Sequence, residues 1–218
     1  MHQEINWSNT HFVQSVADAR TFPPSRLPQI AVAGHSNVGK SSLLNALFGR
    51  KNLVKVSKEP GRTRLLNLFD VDEKLLLVDL PGYGYARASK REQAKWSGLI
   101  EHYLACQPGP NLVLMLLDIR HGPKDSDLQL ISWLNAQGLR WQPVATKADK
   151  LTGNKRTKRL REMTQTMGGM LEPLPISSLN KQGIDALRQC IIEQVCVFPN
   201  LPRGKIPSYD DGNEYAEK

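Results

Sequence analysis

No apolar stretch in this sequence approaches the roughly 20 residues that a membrane-spanning helix needs. The longest strongly apolar run, Leu112–Leu117, covers six residues and reads as a buried strand. The segment Met1–Thr10 lacks the basic stretch, apolar stretch and small-residue cleavage site of an export signal, so the expected location is the cytoplasm. Cysteine is scarce: Cys106, Cys190 and Cys196 are odd in number and lack the close paired spacing of a zinc or redox site. They read as ordinary reduced thiols, which argues against a disulfide framework. No internal repeat is present. Acidic residues are also in deficit, 21 against 29 Lys and Arg, leaving a net charge of +8. That balance points to a polyanionic partner, and nucleic acid and anionic lipid both fit it.

What is present suits one compact soluble domain. The chain has 218 residues, 40% hydrophobic and 23% charged, too short for two large domains. Apolar runs at 27–33, 65–71, 75–80, 112–119, 142–146 and 174–177, bounded by charged, Gly or Pro residues, predict six strands. Helical spacing begins near Lys40 and recurs over 90–106, 126–137, 154–166 and 184–197. This alternation predicts an α/β fold with a mostly parallel six-stranded sheet and helices on both faces. Only Asp72–Lys74 separates the second and third runs, too short for a crossover, so those two strands are expected to form a hairpin with one strand antiparallel. Residues 1–24, with a strand-like piece at Phe12–Val16, are expected to be an extension packed on a domain spanning 25–198. Residues 199–218, rich in Pro, Gly and acids, are expected to form a disordered tail.

The segment Gly34-His35-Ser36-Asn37-Val38-Gly39-Lys40-Ser41 follows a predicted strand and opens a predicted helix. It has the spacing of a phosphate-binding loop. Glycines let successive backbone N–H groups turn inward, and the helix adds the positive end of its dipole. Lys40 is expected to reach the β- and γ-phosphates and Ser41 to ligate Mg²⁺. ATPases and kinases share such a loop, so the base must be read elsewhere. Thr146-Lys147-Ala148-Asp149 follows a later strand. The Asp149 carboxylate matches the paired N1–H and amine donors of guanine, while adenine would leave it desolvated and unpaired, a penalty of about 1 to 3 kcal/mol or more. Lys147 is expected to lay its aliphatic stem over the base, and the turn Ser177-Ser178-Leu179 to offer backbone donors to guanine O6.

Asp79-Leu80-Pro81-Gly82 closes another strand. It sets a carboxylate at the C-terminal edge of the sheet, where Asp79 is expected to hold Mg²⁺ through water and Gly82 to contact the γ-phosphate. Thr63, in Pro60-Gly61-Arg62-Thr63, is the expected second protein ligand to Mg²⁺. Each signal alone has an ordinary explanation as a turn or a solvated side chain; their order along the chain makes them a set.

These segments and Asp118-Ile119-Arg120-His121, with Pro81-Gly82-Tyr83-Gly84-Tyr85 the most specific, resemble the EngB (YihA/YsxC) family of Era-like GTPases over roughly residues 9–197. His35 departs from that family's usual arginine. The resemblance implies the P-loop NTPase (Ras-like) three-layer fold. It further implies nucleotide contacts along the phosphate loop through Ser42, at Gly61, Arg62, Thr63, Arg64 and Leu65, and at the segments above, with Lys40, Thr63 and Gly82 central to hydrolysis. It also implies a bacterial GTPase in late assembly of the large ribosomal subunit, working as a monomer with ribosomal RNA and protein as partners, and linked to cell division and septation.

Tyr83 stands where many GTPases carry a water-orienting glutamine, so slow hydrolysis is expected. Asn37 is a candidate K⁺ ligand or a plain loop hydrogen-bonder. Basic residues flank both switch segments (Lys51, Lys55, Lys58, Arg62 and Arg64; Arg87, Lys90, Arg91 and Lys95), and a third cluster runs from Lys150 to Arg161. Solvated helix faces are the ordinary source of such a cluster. Two other readings stay open: a switch that recruits proteins at the division site without RNA contact, and a P-loop kinase acting on a small molecule.

Overall fold

In the computed structural model, residues 4–23, 25–54, 65–83, 90–106 and 109–194 are described. Gly61, Arg62, Thr63 and Arg64, the basic residues at 55–64 and 84–89, and the tail at 199–218 lie outside them. Seven strands form one sheet: β1 (Thr10–Val16), β2 (Gln29–Gly34), β3 (Leu66–Val71), β4 (Leu75–Asp79), β5 (Leu112–Asp118), β6 (Trp141–Thr146) and β7 (Leu174–Pro175). Their order across the sheet is β1-β3-β4-β2-β5-β6-β7. The helices are α1 (Lys40–Leu47), α2 (Lys90–Ala105), α3 (Asp125–Ala136), α4 (Gly153–Thr166) and α5 (Ile184–Ile192).

Six strands were expected and seven are found. The additional one, β1, pairs antiparallel with β3 at the sheet edge, with a register shift between Phe12 and Gln14. Only its end residues Thr10 and Val16 are buried, while Phe12 and Val13 lie open, so the sequence carries no period-two apolar signal there. The β3–β4 hairpin is antiparallel as expected. Its two-residue turn places Asp72 at φ 58° and Glu73 at φ 54°, the left-handed pair whose twist suits a tight hairpin. The Asp72 carboxylate stabilises that turn by accepting from the Asn9 side chain, Lys74 Nζ and the Asn6 backbone N–H, which hold its carboxyl well below the usual range. β3 alone runs against the other strands.

Alternate residues of the central strands feed two separate cores, which is why these strands read as continuous apolar runs rather than alternating ones. Ala31, Ala33, Val113, Met115 and Leu117 pack with Ile100, Tyr103 and Leu104 of α2, Ile131 and Leu134 of α3, and Leu160 and Met163 of α4. Ile30, Val32, Leu112, Leu114 and Leu116 face the other way, against Leu43, Leu44 and Leu47 of α1 and Ile184, Leu187 and Ile191 of α5. The result is three layers, helices over sheet over helices. β2 pairs in parallel with both β4 and β5, so the chain reverses its direction of strand addition at β2. Ligands of open α/β sheets bind at the C-terminal ends of the strands at such a point.

Candidate functional site

The loop that leaves β2 is shaped by its own residues before anything binds to it. Gly34 sits where a Cβ would stand 2.9 Å from Val38 Cγ1 and 3.0 Å from Leu116 Cβ, so only glycine lets the strand turn this tightly against β5. Gly39 caps α1 at φ 105°, a conformation that other residues rarely adopt. Asn37, at φ 63°, is among the few non-glycine types that tolerate the left-handed region. Ser36 N–H donates to the Tyr83 carbonyl at 2.9 Å, and His35 bridges to Tyr83 as a parallel strand would. The loop is therefore stitched to the residue after Gly82.

Lys40 begins α1 and points back into the loop. Its Nζ meets Asp79 Oδ1, the end of β4, at 2.5 Å, and both side chains are buried, 9% and 1% exposed. A buried pair of this kind is costly to break by removing one member, because the other charge is left without compensation. Ser41 and Ser42 follow in the first turn of α1, while Leu80 and Pro81 are buried where the chain leaves β4. Leu65 stands just ahead of β3, partly exposed.

The C-terminal end of β6 joins this loop through two braces. Thr146 Oγ1 donates to the Val38 carbonyl at 2.7 Å. Lys147 Nζ donates to the Asn37 carbonyl at 2.8 Å and to Asp118 Oδ2 at 2.9 Å. The expected base-reading role of Thr146 is thus refined, since its hydroxyl is turned to the phosphate loop. Lys147 itself stands at φ 59°, which carries its stem past Gly39. Ala148 N–H bonds to the Ile176 carbonyl, locking this segment to the one after β7.

Asp149 then faces Ser177, whose Oγ donates to Asp149 Oδ1 at 2.7 Å and accepts from the Leu179 and Asn180 N–H groups. That hydrogen bond holds the Asp149 carboxyl below its ordinary range, so it is an acceptor at neutral pH. Ser177 is fully buried, whereas Leu179 is 80% exposed.

Three residues to which the sequence reading gave no role at the site complete the arrangement. Asp118 ends β5 at the same sheet edge. Partial burial pushes its carboxyl up, but hydrogen bonds from Arg120 and Lys147 outweigh this and hold it well below the usual range. A carboxylate closing an apolar strand, as Asp79 does, was the available signal. Asp127 and Lys124 gave none, because their partners are distant in sequence. Tyr83 Oη donates to Asp127 Oδ1 at 2.8 Å, and Asp127 Oδ2 accepts from the Lys124 N–H at the start of α3. Burial beside that carboxylate pushes the Tyr83 phenol well up, so it remains a donor.

His35, expected among the nucleotide contacts, is held by its neighbours. Its ring packs edge-on against Tyr83, Nδ1 lies 3.0 Å from the Ser36 carbonyl, and Nε2 lies 3.4 Å from Lys124 Nζ. A carbonyl accepts and an ammonium donates, so the pair of contacts selects the Nδ1–H tautomer.

The geometry thus lines one sheet edge with a backbone loop, an ammonium and a carboxylate at one end, and a carboxylate with a serine hydroxyl at the other. Residues 29–147 match the family described as 50S ribosome-binding GTPase. The probable GTP-binding protein EngB of Alkaliphilus metalliredigens is 43% identical over 192 residues, covering 87% of this chain and 92% of that protein. A crystal structure of a probable GTP-binding protein EngB superposes with a TM-score of 0.66 at 22% identity, covering 78% of this chain and 99% of that one. Era, solved in complex with MgGDPNP and a segment of 16S ribosomal RNA, superposes at 0.63 with 23% identity, covering 86% of this chain and 61% of that one. By its sequence across most of its length, and with the fold of its solved relatives, the chain belongs to the EngB family of P-loop GTPases.

Proposed function

We propose that this GTPase is a slow guanine-nucleotide switch that assists late assembly of the bacterial large ribosomal subunit, and that the link to cell division and septation follows from that role. The observation that carries the nucleotide reading is the pair of braces, Thr146 to Val38 and Lys147 to Asn37. They tie the base-reading segment to the phosphate loop, so one ligand spans Asp149 and Lys40. On this reading residues 25–198 form the GTP-binding domain, the N-terminal 24 residues support it, and the protein acts as a cytoplasmic monomer. Among the described residues no helix is long and apolar enough to cross a membrane.

Asp149 accepts from the guanine edge, with Ser177, Ser178 and Leu179 around the base and Lys147 across it. The backbone from Gly34 to Gly39 surrounds the phosphates. Lys40 exchanges Asp79 for phosphate oxygens, which frees the Asp79 carboxylate. The Ser41 hydroxyl and that buried carboxylate, the latter acting through water, are hard oxygen donors on adjacent elements, a set that fits Mg²⁺, with Thr63 as the second protein ligand. When bound, Mg²⁺ neutralises charge on the β- and γ-phosphate oxygens. Gly82 meets the γ-phosphate, so hydrolysis to GDP and phosphate releases the segment after it.

Slow turnover is supported by Tyr83, whose hydroxyl is committed to Asp127 and which has no carboxamide to orient water. Asn37 is a K⁺ ligand in this proposal. A ribosomal partner is supported by the family description and by the RNA bound to Era.

Co-sedimentation with purified large ribosomal subunits in GTP, GDP and non-hydrolysable analogue tests partner and switch together. Binding that is stronger with the analogue than with GDP is expected; equal binding in all three states removes the switch, and no binding removes the ribosomal partner in favour of a protein-recruiting role. Turnover is expected to be higher in KCl than in NaCl at equal ionic strength, and equal rates dismiss the K⁺ ligand.

A further inference from the structure

Helix α4 carries five bases against one acid: Lys155, Arg156, Lys158, Arg159 and Arg161 against Glu162. Their engagement is uneven. Arg159 is committed to the fold, donating to the Ile119 and Arg120 carbonyls and pairing with Glu162, and Arg156 reaches the Gln182 side chain. Lys155, Lys158 and Arg161 are exposed and have no partner among the described residues.

These three sit three residues apart along one side of the helix, as like-charged neighbours that repel. Lys155 and Arg156 also occupy the first turn, which contains no acid, where the helix dipole disfavours cations. A solvated helix face selected for stability would intersperse acids and put them at that end. The arrangement is unfavourable for α4 alone and becomes favourable against a polyanion.

The basic surface continues toward the nucleotide site. Arg159 pins the loop after β5 onto α4, and that loop carries Arg120, paired with Asp118, together with His121 and Lys124 around a pocket of about 200 Å³ that Asp118 and Asp127 also line. One wall of this pocket is the phosphate loop from His35 to Val38. A polyanion lying on α4 is thereby led toward that loop.

We propose that α4 and the Arg120–Lys124 loop form a binding surface for an RNA backbone, with the end of that surface seated against the phosphate loop. The proposal rests on the ribosomal RNA partner put forward above and names where this chain meets it. Two features favour RNA over an acidic protein. Asn154, Thr157 and Gln165 are interleaved with the cations and supply hydrogen-bonding groups suited to phosphate and sugar oxygens. Protein interfaces of useful affinity are anchored by buried apolar or aromatic groups, and none of the exposed large apolar residues among those described lies on α4 or in this loop.

The test compares the full-length protein with Lys158→Glu/Arg161→Glu and with a control of equal charge change, Arg26→Glu/Lys181→Glu, at exposed positions elsewhere. Each is titrated against deproteinised large-subunit RNA and against intact large subunits over a range of salt. The α4 variant is expected to bind RNA about tenfold or more weakly, with the slope of log affinity against log salt reduced by about 1.4 to 1.8, while the control changes little. GTP turnover without RNA is expected to be unchanged in both, which also reports that each is folded.

Wild-type protein that binds neither RNA nor subunits overturns the RNA partner itself. Wild-type RNA binding that the α4 variant retains, or that the control loses equally, overturns this surface while leaving the partner standing. Binding to intact subunits alone, lost in the α4 variant, overturns RNA in favour of an acidic protein.

Discussion

A carboxylate at the end of a strand does different work depending on what reaches it. Asp79 is all but closed to solvent and balances Lys40, whereas Asp149 accepts from Ser177 at Oδ1 and meets Lys150 Nζ at Oδ2, 3.5 Å away. In the nucleotide-free protein the Lys40 ammonium depends on Asp79 for compensation. Replacing Asp79 with Ala is therefore expected to cost about 3 kcal/mol of stability, the scale for removing one member of a buried pair. GDP is expected to restore much of this, because its phosphates give Lys40 a new counter-charge. Thermal unfolding of wild type and variant, with and without GDP, checks it; a variant as stable as wild type, or one that GDP does not rescue preferentially, contradicts the assignment. The residue scale was the most legible in the sequence: Lys40, Asp79 and Asp149 were singled out from spacing because each proposed chemistry demands one residue type, and the structure sets all three at strand or helix ends along one sheet edge. Asp127 and Lys124 were not, since a tyrosine hydroxyl 44 positions away selects the one and a histidine ring 89 positions away engages the other.

At the scale of elements, the ends of helices and strands carry more information than their interiors. Strand positions were recovered from apolar runs, but β7 is only Leu174–Pro175 where four residues were expected, because the chain leaves the sheet to bring Ser177 beneath Asp149. The αL cap of α5 shows how tightly this turn is held. Gly183 stands at φ 75°, and a Cβ there would lie 2.3 Å from the Pro175 carbonyl oxygen. Gly183→Ala therefore faces both strain and a backbone clash, and is expected to destabilise by about 2–3 kcal/mol. In a domain of this size that is a fall of about 5–10 °C in Tm. Because the displaced segment carries Ser177, guanine affinity is expected to fall as well; calorimetric unfolding and GDP titration measure the two effects, and an unaltered Tm rejects the packing argument. Strand β1 illustrates the opposite limit: an edge strand with two buried residues has little pattern to read, so the strand-like piece at Phe12–Val16 was legible but its place in the sheet came only from its pairing with β3.

The whole molecule gathers Gly34, Asp79, Asp118, Thr146 and Ser177 at one sheet edge, and its acid stability should report that gathering. Asp118 and Asp149 both have carboxyls held below the ordinary range, in part by Lys147 and Ser177, partners that only the fold brings to them. Their stabilisation is complete above the unfolded-state value near about 3.9 and is lost as pH falls through the lower folded-state values. Stability is expected to be flat from neutrality to about pH 4.5 and to drop below it. Asp118→Asn is expected to reduce the steepness of that drop; an unchanged profile by denaturant titration between pH 6 and pH 3 rules out this source. What the sequence by itself determined was the spacing of its motifs, from which a phosphate site and a guanine site are proposed, and the alternation of strands and helices, all set by local geometry and periodicity. The tertiary structure alone decided the strand order and the braces from β6 to the phosphate loop. It alone also decided the Tyr83–Asp127 contact and the continuity of the basic surface from α4 to the pocket. These depend on which strand ends are neighbours, and neighbours in a parallel sheet are separated by whole crossovers that no local pattern spans.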